Sequence, residues 1–305
     1  MVNVLIEKIR EKNNPTVVGL DPFVGKFPKF LVNNHPVCSA STRLPKEGNY
    51  RNDVVAESIL EFNKRIIDAT YDIVPAVKPQ MAFYEQVGWQ GMRALEETVK
   101  YAKSKGLFVI LDGKRGDIGS TAEGYARAYL TKEGMDADAL TVNGYLGSDG
   151  IKPFLETGRM IFVLGKTSNP SSGEIQDLDV GGLTVYERMA ELSEELGVRS
   201  EEFEGRYTNC GLVVGATYPE QIKRIREIAP RTFFLVPGYG AQGGTAEDLK
   251  WAFDENGEGA IVNSSRGILY AYEKEGCDER DFAGAARREA IRMREELRQV
   301  IVNGE

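Results

Sequence analysis

Short runs of apolar, often β-branched residues recur along the chain, and each is followed by a longer stretch of helical character. The runs are Thr16–Asp21 (TVVGLD), Ile73–Lys78 (IVPAVK), Leu107–Asp112 (LFVILD), Ala139–Asn143 (ALTVN), Met160–Gly165 (MIFVLG), Cys210–Gly215 (CGLVVG), Thr232–Val236 (TFFLV) and Ala260–Asn263 (AIVN). Continuous apolar runs of this kind suit strands covered on both faces of a parallel sheet. Between them, Val55, Ile59, Phe62, Ile66 and Ala69 form one stripe at spacings of three and four; Ala286, Ala290, Met293, Leu297 and Val300 form another. Such stripes mark helices with one face on a core. Eight strand-then-helix units in 305 residues predict an α/β chain of the (β/α)8 TIM-barrel class, one domain over residues 1–305. No GxGxxG follows the first run and no GxxxxGK[ST] occurs, so the two commonest nucleotide-binding folds lose support.

Two stretches break the alternation. Phe23 to Asn52 reads as a long insertion after the first strand, holding Pro28, Pro36, Pro45, His35 and Cys38. Lys166 to Gly182 (KTSNPSSGEIQDLDVGG) is rich in Ser, Gly and Pro. Both follow strand ends, the barrel face on which active sites are built, and connections this long usually carry function.

Composition narrows the class of partner. Hydrophobic residues make up 42% and charged residues 28%, an ordinary globular balance. A net charge of −8 is the wrong sign for neutralising a nucleic-acid strand, although it leaves a single small anion open. The three cysteines, Cys38, Cys210 and Cys277, form no CxxC pair and read as reduced thiols of a cytoplasmic protein. The opening MVNVLIEKIREKNN is too charged for a signal peptide, and no apolar run approaches the roughly 18 residues of a membrane span. His35 is the single histidine, so no metal site of the usual His/Cys kind is expected.

Charged groups gather where the apolar runs finish: Asp21 after the first, Lys78 after the second, Asp112 after the third, then Lys114 and Asp117 in LDGKRGDIGST. Any one of these reads equally as a solvated charge, and Asp117 as a helix N-terminal acid. Five of them at equivalent ends of three neighbouring strands are hard to assign to solubility. A lysine between carboxylates stays protonated, which makes it a poor Schiff-base nucleophile and a good proton donor. A substrate carboxylate brought to about 4 Å from Asp112 meets a repulsion of about 4 kcal/mol at an effective dielectric near 20, relieved when CO2 leaves. The last two strand ends suggest an anion site. VPGYGAQGG (Val236–Gly244) can turn backbone N–H groups and Gln242 toward a phosphate, and NSSRGI (Asn263–Ile268) adds Arg266.

LDGKRGDIGSTAEGYA (Leu111–Ala126) resembles the signature of the orotidine 5′-phosphate decarboxylases, in the longer form of that family. GLDP, VKPQ, KTSNPSSGE, PGYGAQGG and SSRGI follow in family order over nearly the whole chain. The resemblance implies conversion of orotidine 5′-monophosphate to uridine 5′-monophosphate in pyrimidine biosynthesis, without metal or organic cofactor. It implies Lys114 as proton donor to the carbanion-like carbon, Asp112 beside the departing carboxylate, and Lys78 completing the array and contacting ribose. Asp117 would come across the interface of a homodimer with shared active sites, with Ile118 and Thr121 beside it. Asp21 would hold ribose hydroxyls, Ser168 would read the pyrimidine amide edge, and Gln242 and Arg266 would grip the phosphate.

Three alternatives stand beside it. A sister decarboxylase or synthase on the same barrel would use Mg²⁺ and an enediolate. An aldolase would use Lys78 or Lys114 as a Schiff-base nucleophile, against the effect of the neighbouring carboxylates. A phosphate-ligand binder could keep the site without catalysis.

Overall fold

A computed structural model describes residues 1–33, 50–198, 205–240 and 245–302. Its strands are β1 (Thr16–Leu20), β2 (Ala76–Pro79), β3 (Phe108–Arg115), β4 (Ala139–Val142), β5 (Met160–Lys166), β6 (Cys210–Val214), β7 (Phe234–Val236) and β8 (Ala260–Ser264). They close in chain order into an eight-stranded barrel, with β8 parallel to β1. The (β/α)8 expectation therefore holds.

Side chains alternate across the barrel wall, as the two-residue period of a strand requires. Val17, Ala76, Phe108, Ile110, Phe162 and Ile261 belong to an inner cluster. Their chain neighbours Val18, Val77, Val109, Leu111, Val163 and Val262 belong to the outer one, with Ile59, Phe62 and Ile66 of the helix Tyr50–Thr70 and Ala286, Ala290, Met293 and Leu297 of the helix Phe282–Val302. Both faces of the wall are thus apolar, which is why the runs show no polar alternation. The helix Val2–Lys12 adds Val2, Leu5, Ile6 and Ile9 to the inner cluster, closing the N-terminal end of the barrel. Among the described residues, a cavity opens at the C-terminal end.

Three elements differ from the pattern's expectation. β2 starts at Ala76 rather than Ile73, because the N–H groups of Ile73 and Val74 both donate to the Thr70 carbonyl (3.0 Å each), and the apolar Ile73 and Val74 are buried without strand pairing. β3 runs on to Arg115, and its register against β4 jumps from Leu111–Leu140 to Arg115–Val142, a bulge that takes in Asp112 and Lys114. The stretch after β1 is partly helical: Val24–Lys26 and Lys29–Asn33 form short helices, the Phe27 ring stacks on Phe62 at 4.4 Å, and Asn52 already lies in the helix Tyr50–Thr70. His35 and Cys38 lie outside the described residues. Among the described residues, no helix is long and apolar enough to cross a membrane.

Candidate active site

Beyond the last apolar layer of the barrel, the inward positions turn polar. Counting on by twos from Val17, Ala76, Ile110, Ala139 and Ile261 reaches Asp21, Lys78 and Gln80, Asp112 and Lys114, Thr141, and Asn263 and Ser265. All of these line one cavity of about 490 Å³ at the open end.

Asp112 is its centre. Lys78 Nζ donates to Oδ2 at 2.5 Å and Gln80 Nε2 to the same oxygen at 3.1 Å. Lys114 Nζ donates to Oδ1 at 2.5 Å and Thr141 Oγ1 to that oxygen at 3.0 Å. Burial by itself would raise the Asp112 pKa, but the two ammonium groups hold it well below the usual carboxylate range. For Lys78, burial acts to lower the pKa, and Asp112 and Asp21 together outweigh it, so the ammonium persists. The two lysines differ in access. Lys78 has a side chain 4% exposed, whereas that of Lys114 is 46% exposed.

The bulge in β3 sets that difference. Lys114 has φ +47°, a left-handed conformation unfavourable for a residue with a Cβ, and its N–H donates to Thr141 Oγ1 at 2.9 Å. Thr141 thereby ties both the backbone of Lys114 and the carboxylate it pairs with.

Asp21 follows β1. Burial is the main influence on its carboxyl and raises the pKa against the pull of Lys78. Its Oδ1, and Oδ1 of Asn263 on the adjacent β8, are buried with no hydrogen-bond partner. Two unsatisfied acceptors in one cavity wall are costly unless a ligand supplies donors. Gly19 allows this corner: a Cβ there would stand 1.9 Å from Ser265 Oγ and 2.9 Å from Asn263 Oδ1.

The remaining expected residues divide. Ser168, in the connection after β5, lines the cavity, and so does Arg266, which opens the short helix Arg266–Leu269 after β8. Gln242 lies outside the described residues, although Pro237, Gly238 and Tyr239 of the same loop line the cavity. Asp117, Ile118 and Thr121 do not line it. Asp117 Oδ1 accepts the Ile118 N–H at 2.8 Å, and the Ile118 side chain is exposed. Exposed Leu146 and the Asp117 carbonyl both lie beside Gly150, and Tyr145 next to Leu146 is 84% exposed. The structure therefore unites four of the five strand-end charges within one chain and leaves Asp117 at an apolar surface.

Sequence reasoning passed over Gln80, Thr141, Asn263 and Gln176, which also line the cavity. The first three sit at inward positions one step beyond apolar ones, so a count by twos would have found them. Gln176 lies in the connection after β5, where no such period applies.

Comparison with known proteins places the chain in a family. A family model described as Orotidine 5'-phosphate decarboxylase / HUMPS family matches residues 56–276. An orotidine 5'-phosphate decarboxylase of Rhodopirellula baltica is 46% identical over 296 residues, which are 93% of this chain and 94% of that relative. The solved structure of the Leishmania donovani OMP decarboxylase matches with a TM-score of 0.71 and 32% identity, over 96% of this chain and 98% of that one. The Leishmania donovani UMP synthase matches with a TM-score of 0.73 and 32% identity over 96% of this chain; the chain spans 56% of that longer protein. Matched on this scale in sequence and in barrel, the chain belongs to the orotidine 5'-phosphate decarboxylase / HUMPS family.

Proposed function

We propose that this chain decarboxylates orotidine 5′-monophosphate to uridine 5′-monophosphate in pyrimidine biosynthesis, with no cofactor. The observation that carries the reading is the single carboxylate, Asp112, held between two ammonium groups at the open end of the barrel.

The substrate carboxylate enters beside Asp112 and faces its negative charge. The bond from the pyrimidine ring to CO2 breaks with its electron pair left on the ring carbon. The Lys114 ammonium stabilises that carbanion-like carbon and gives it a proton, and the resulting amine regains one from solvent through the cavity mouth. Lys78, fixed and buried, keeps Asp112 ionised throughout. Donors and charges set in place before reaction need no reorganisation as charge develops.

Binding is shared along the cavity. Asp21 Oδ1 and Asn263 Oδ1 offer the two free acceptors that ribose hydroxyls would satisfy. Ser168 reads the pyrimidine amide edge, and Arg266 with Gln242 holds the phosphate. The exposed Ile118, Tyr145 and Leu146 beside Asp117 support a homodimer in which Asp117, Ile118 and Thr121 reach the partner's site. We read the protein as cytoplasmic, with neither nucleic-acid polymer nor membrane as a partner.

Two other chemistries fit less well. Both oxygens of Asp112 are engaged by an ammonium and a neutral donor, which suits Mg²⁺ coordination poorly. A Schiff base needs a free amine, and Lys78 is held protonated. The deciding experiment adds orotidine monophosphate to metal-stripped protein and follows pyrimidine absorbance. Turnover unaffected by EDTA is expected. Activity lost to EDTA, or substrate trapped on the protein by borohydride, would reverse the reading.

A further inference from the structure

One buried cation takes no part in the chemistry above. Lys166 ends β5, two residues before the cavity-lining Ser168, and its side chain is 1% exposed. Its Nζ lies 2.6 Å from Asp177 Oδ1 and over the rings of Tyr218 (4.9 Å) and Tyr186 (5.8 Å). Asp177 is eleven residues further on, so this pair closes the connection that carries Ser168. A second tie lies just inside the first: the Thr167 N–H donates to Gln176 Oε1 at 2.9 Å, and Gln176 Nε2 donates to Thr167 Oγ1 at 2.7 Å. The Thr167 hydroxyl in turn donates to Asn169 Oδ1 at 2.6 Å.

The third constraint comes from Gly215, the residue after β6. The Gly215 N–H donates to the Lys166 carbonyl at 2.7 Å, and a Cβ on Gly215 would meet Ser168 N, Cα and Cβ at 2.9 Å each. Ser168 is held from behind by Gly215 and from both flanks by paired residues. A buried ammonium stripped of its carboxylate is far costlier than either group in water, so the connection cannot swing out without stranding Lys166.

We infer that Lys166 is a positioning residue: its pairing with Asp177 closes the connection after β5 and sets Ser168 where it reads the pyrimidine edge. The inference rests on the proposed decarboxylase reading. It is tested by a double-mutant cycle on orotidine monophosphate turnover with Lys166→Met, Ser168→Ala and both together. Each single change raises KM by roughly tenfold, the scale of one hydrogen bond, with kcat altered by less than about threefold. The double variant is no worse than either single one, because both remove the same contact.

An unchanged KM in Lys166→Met, or penalties that multiply to roughly a hundredfold, overturns the inference. If Lys166→Met does not fold, Asp177→Asn takes its place in the cycle, since that carboxylate is 43% exposed. An unchanged KM or multiplying penalties then overturn the inference in the same way. A chain that turns over substrate but keeps its KM in Ser168→Ala overturns this inference and leaves the decarboxylase reading standing. No turnover by the unaltered chain removes both.

Discussion

Lys114 reaches back to Asp112, the residue two before it on β3, and sets Nζ 2.5 Å from Oδ1. In a regular strand those two side chains would stand parallel, about 6–7 Å apart at their Cα atoms. The bulge between Leu111 and Arg115 and the left-handed backbone at Lys114 bend the ammonium over the carboxylate. A strained residue in the cavity wall is the kind of local cost that a surrounding structure must hold in place. Here Thr141 does so, through both the Lys114 N–H and Asp112 Oδ1.

Lys114→Ala is expected to lower kcat by at least 10²–10⁴-fold, the usual contribution of a positioned acid. The half-exposed side chain is no part of the core, so the thermal unfolding midpoint should stay close to that of the parent. Steady-state kinetics beside a melting curve checks both. Retained turnover would refute the role of proton donor.

Asp112→Ala should destabilise the fold by about 3–5 kcal/mol, because the buried Lys78 loses the carboxylate it is bonded to. Adding Lys78→Met to that variant should recover most of the loss while leaving the protein inactive. Denaturant unfolding of the single and double variants measures the recovery. A double variant no more stable than the single one would show that Lys78 is not the source.

The acid limb of kcat/KM should titrate above the ordinary carboxylate value of about 4, because burial raises the Asp21 pKa and the ionised form accepts hydroxyl donors best. Asp21→Asn should remove that limb while lowering the plateau. Stability has the opposite sign. A carboxyl with a raised folded pKa favours the protonated fold, so its penalty appears as pH rises from the ordinary value through the raised one. Asp21→Asn should therefore be more stable than the parent at neutral pH and equal to it in acid, as paired melting curves would reveal.

Arg266→Ala should reduce kcat/KM for orotidine monophosphate on the order of 10²-fold through loss of a charged phosphate contact. Orotidine without its phosphate should be turned over equally poorly by variant and parent. A variant that still distinguishes the two substrates as the parent does would remove Arg266 from the phosphate site.

Mixing Lys114→Ala chains with Asp117→Ala chains should restore roughly a quarter of parental activity, since half of randomly exchanged two-fold dimers carry one intact site. Each variant alone should be nearly inactive. Mass spectrometry would establish chain exchange independently. Exchange without recovery would argue that Asp117 serves its own subunit or none.

Much of this was legible in the order of residues. Both faces of the barrel wall are buried, so each strand appears as an unbroken apolar run, and Val17–Val18 or Val109–Ile110 mark strands whichever way they point. Where the runs end, Asp21, Lys78 and Asp112 show themselves, because an ionisable group next to a buried strand needs a partner or a task. Gln80, Thr141 and Asn263 were legible too, by the two-residue period. The stretch after β1 was less so, since Phe27 is buried against Phe62, a ring far along the chain that returns to stack on it.

The sequence by itself determined the barrel class, the open end and the charged residues gathered there, because burial and strand period act over neighbouring positions. Only the tertiary structure decided which oxygen of Asp112 each lysine takes, and that Asp117 does not line the cavity of its own chain. Lys166 shows the reason most directly. A lysine after an apolar strand looks solvated until Asp177, Tyr186 and Tyr218 close around it, and contacts between distant segments leave no local pattern to read.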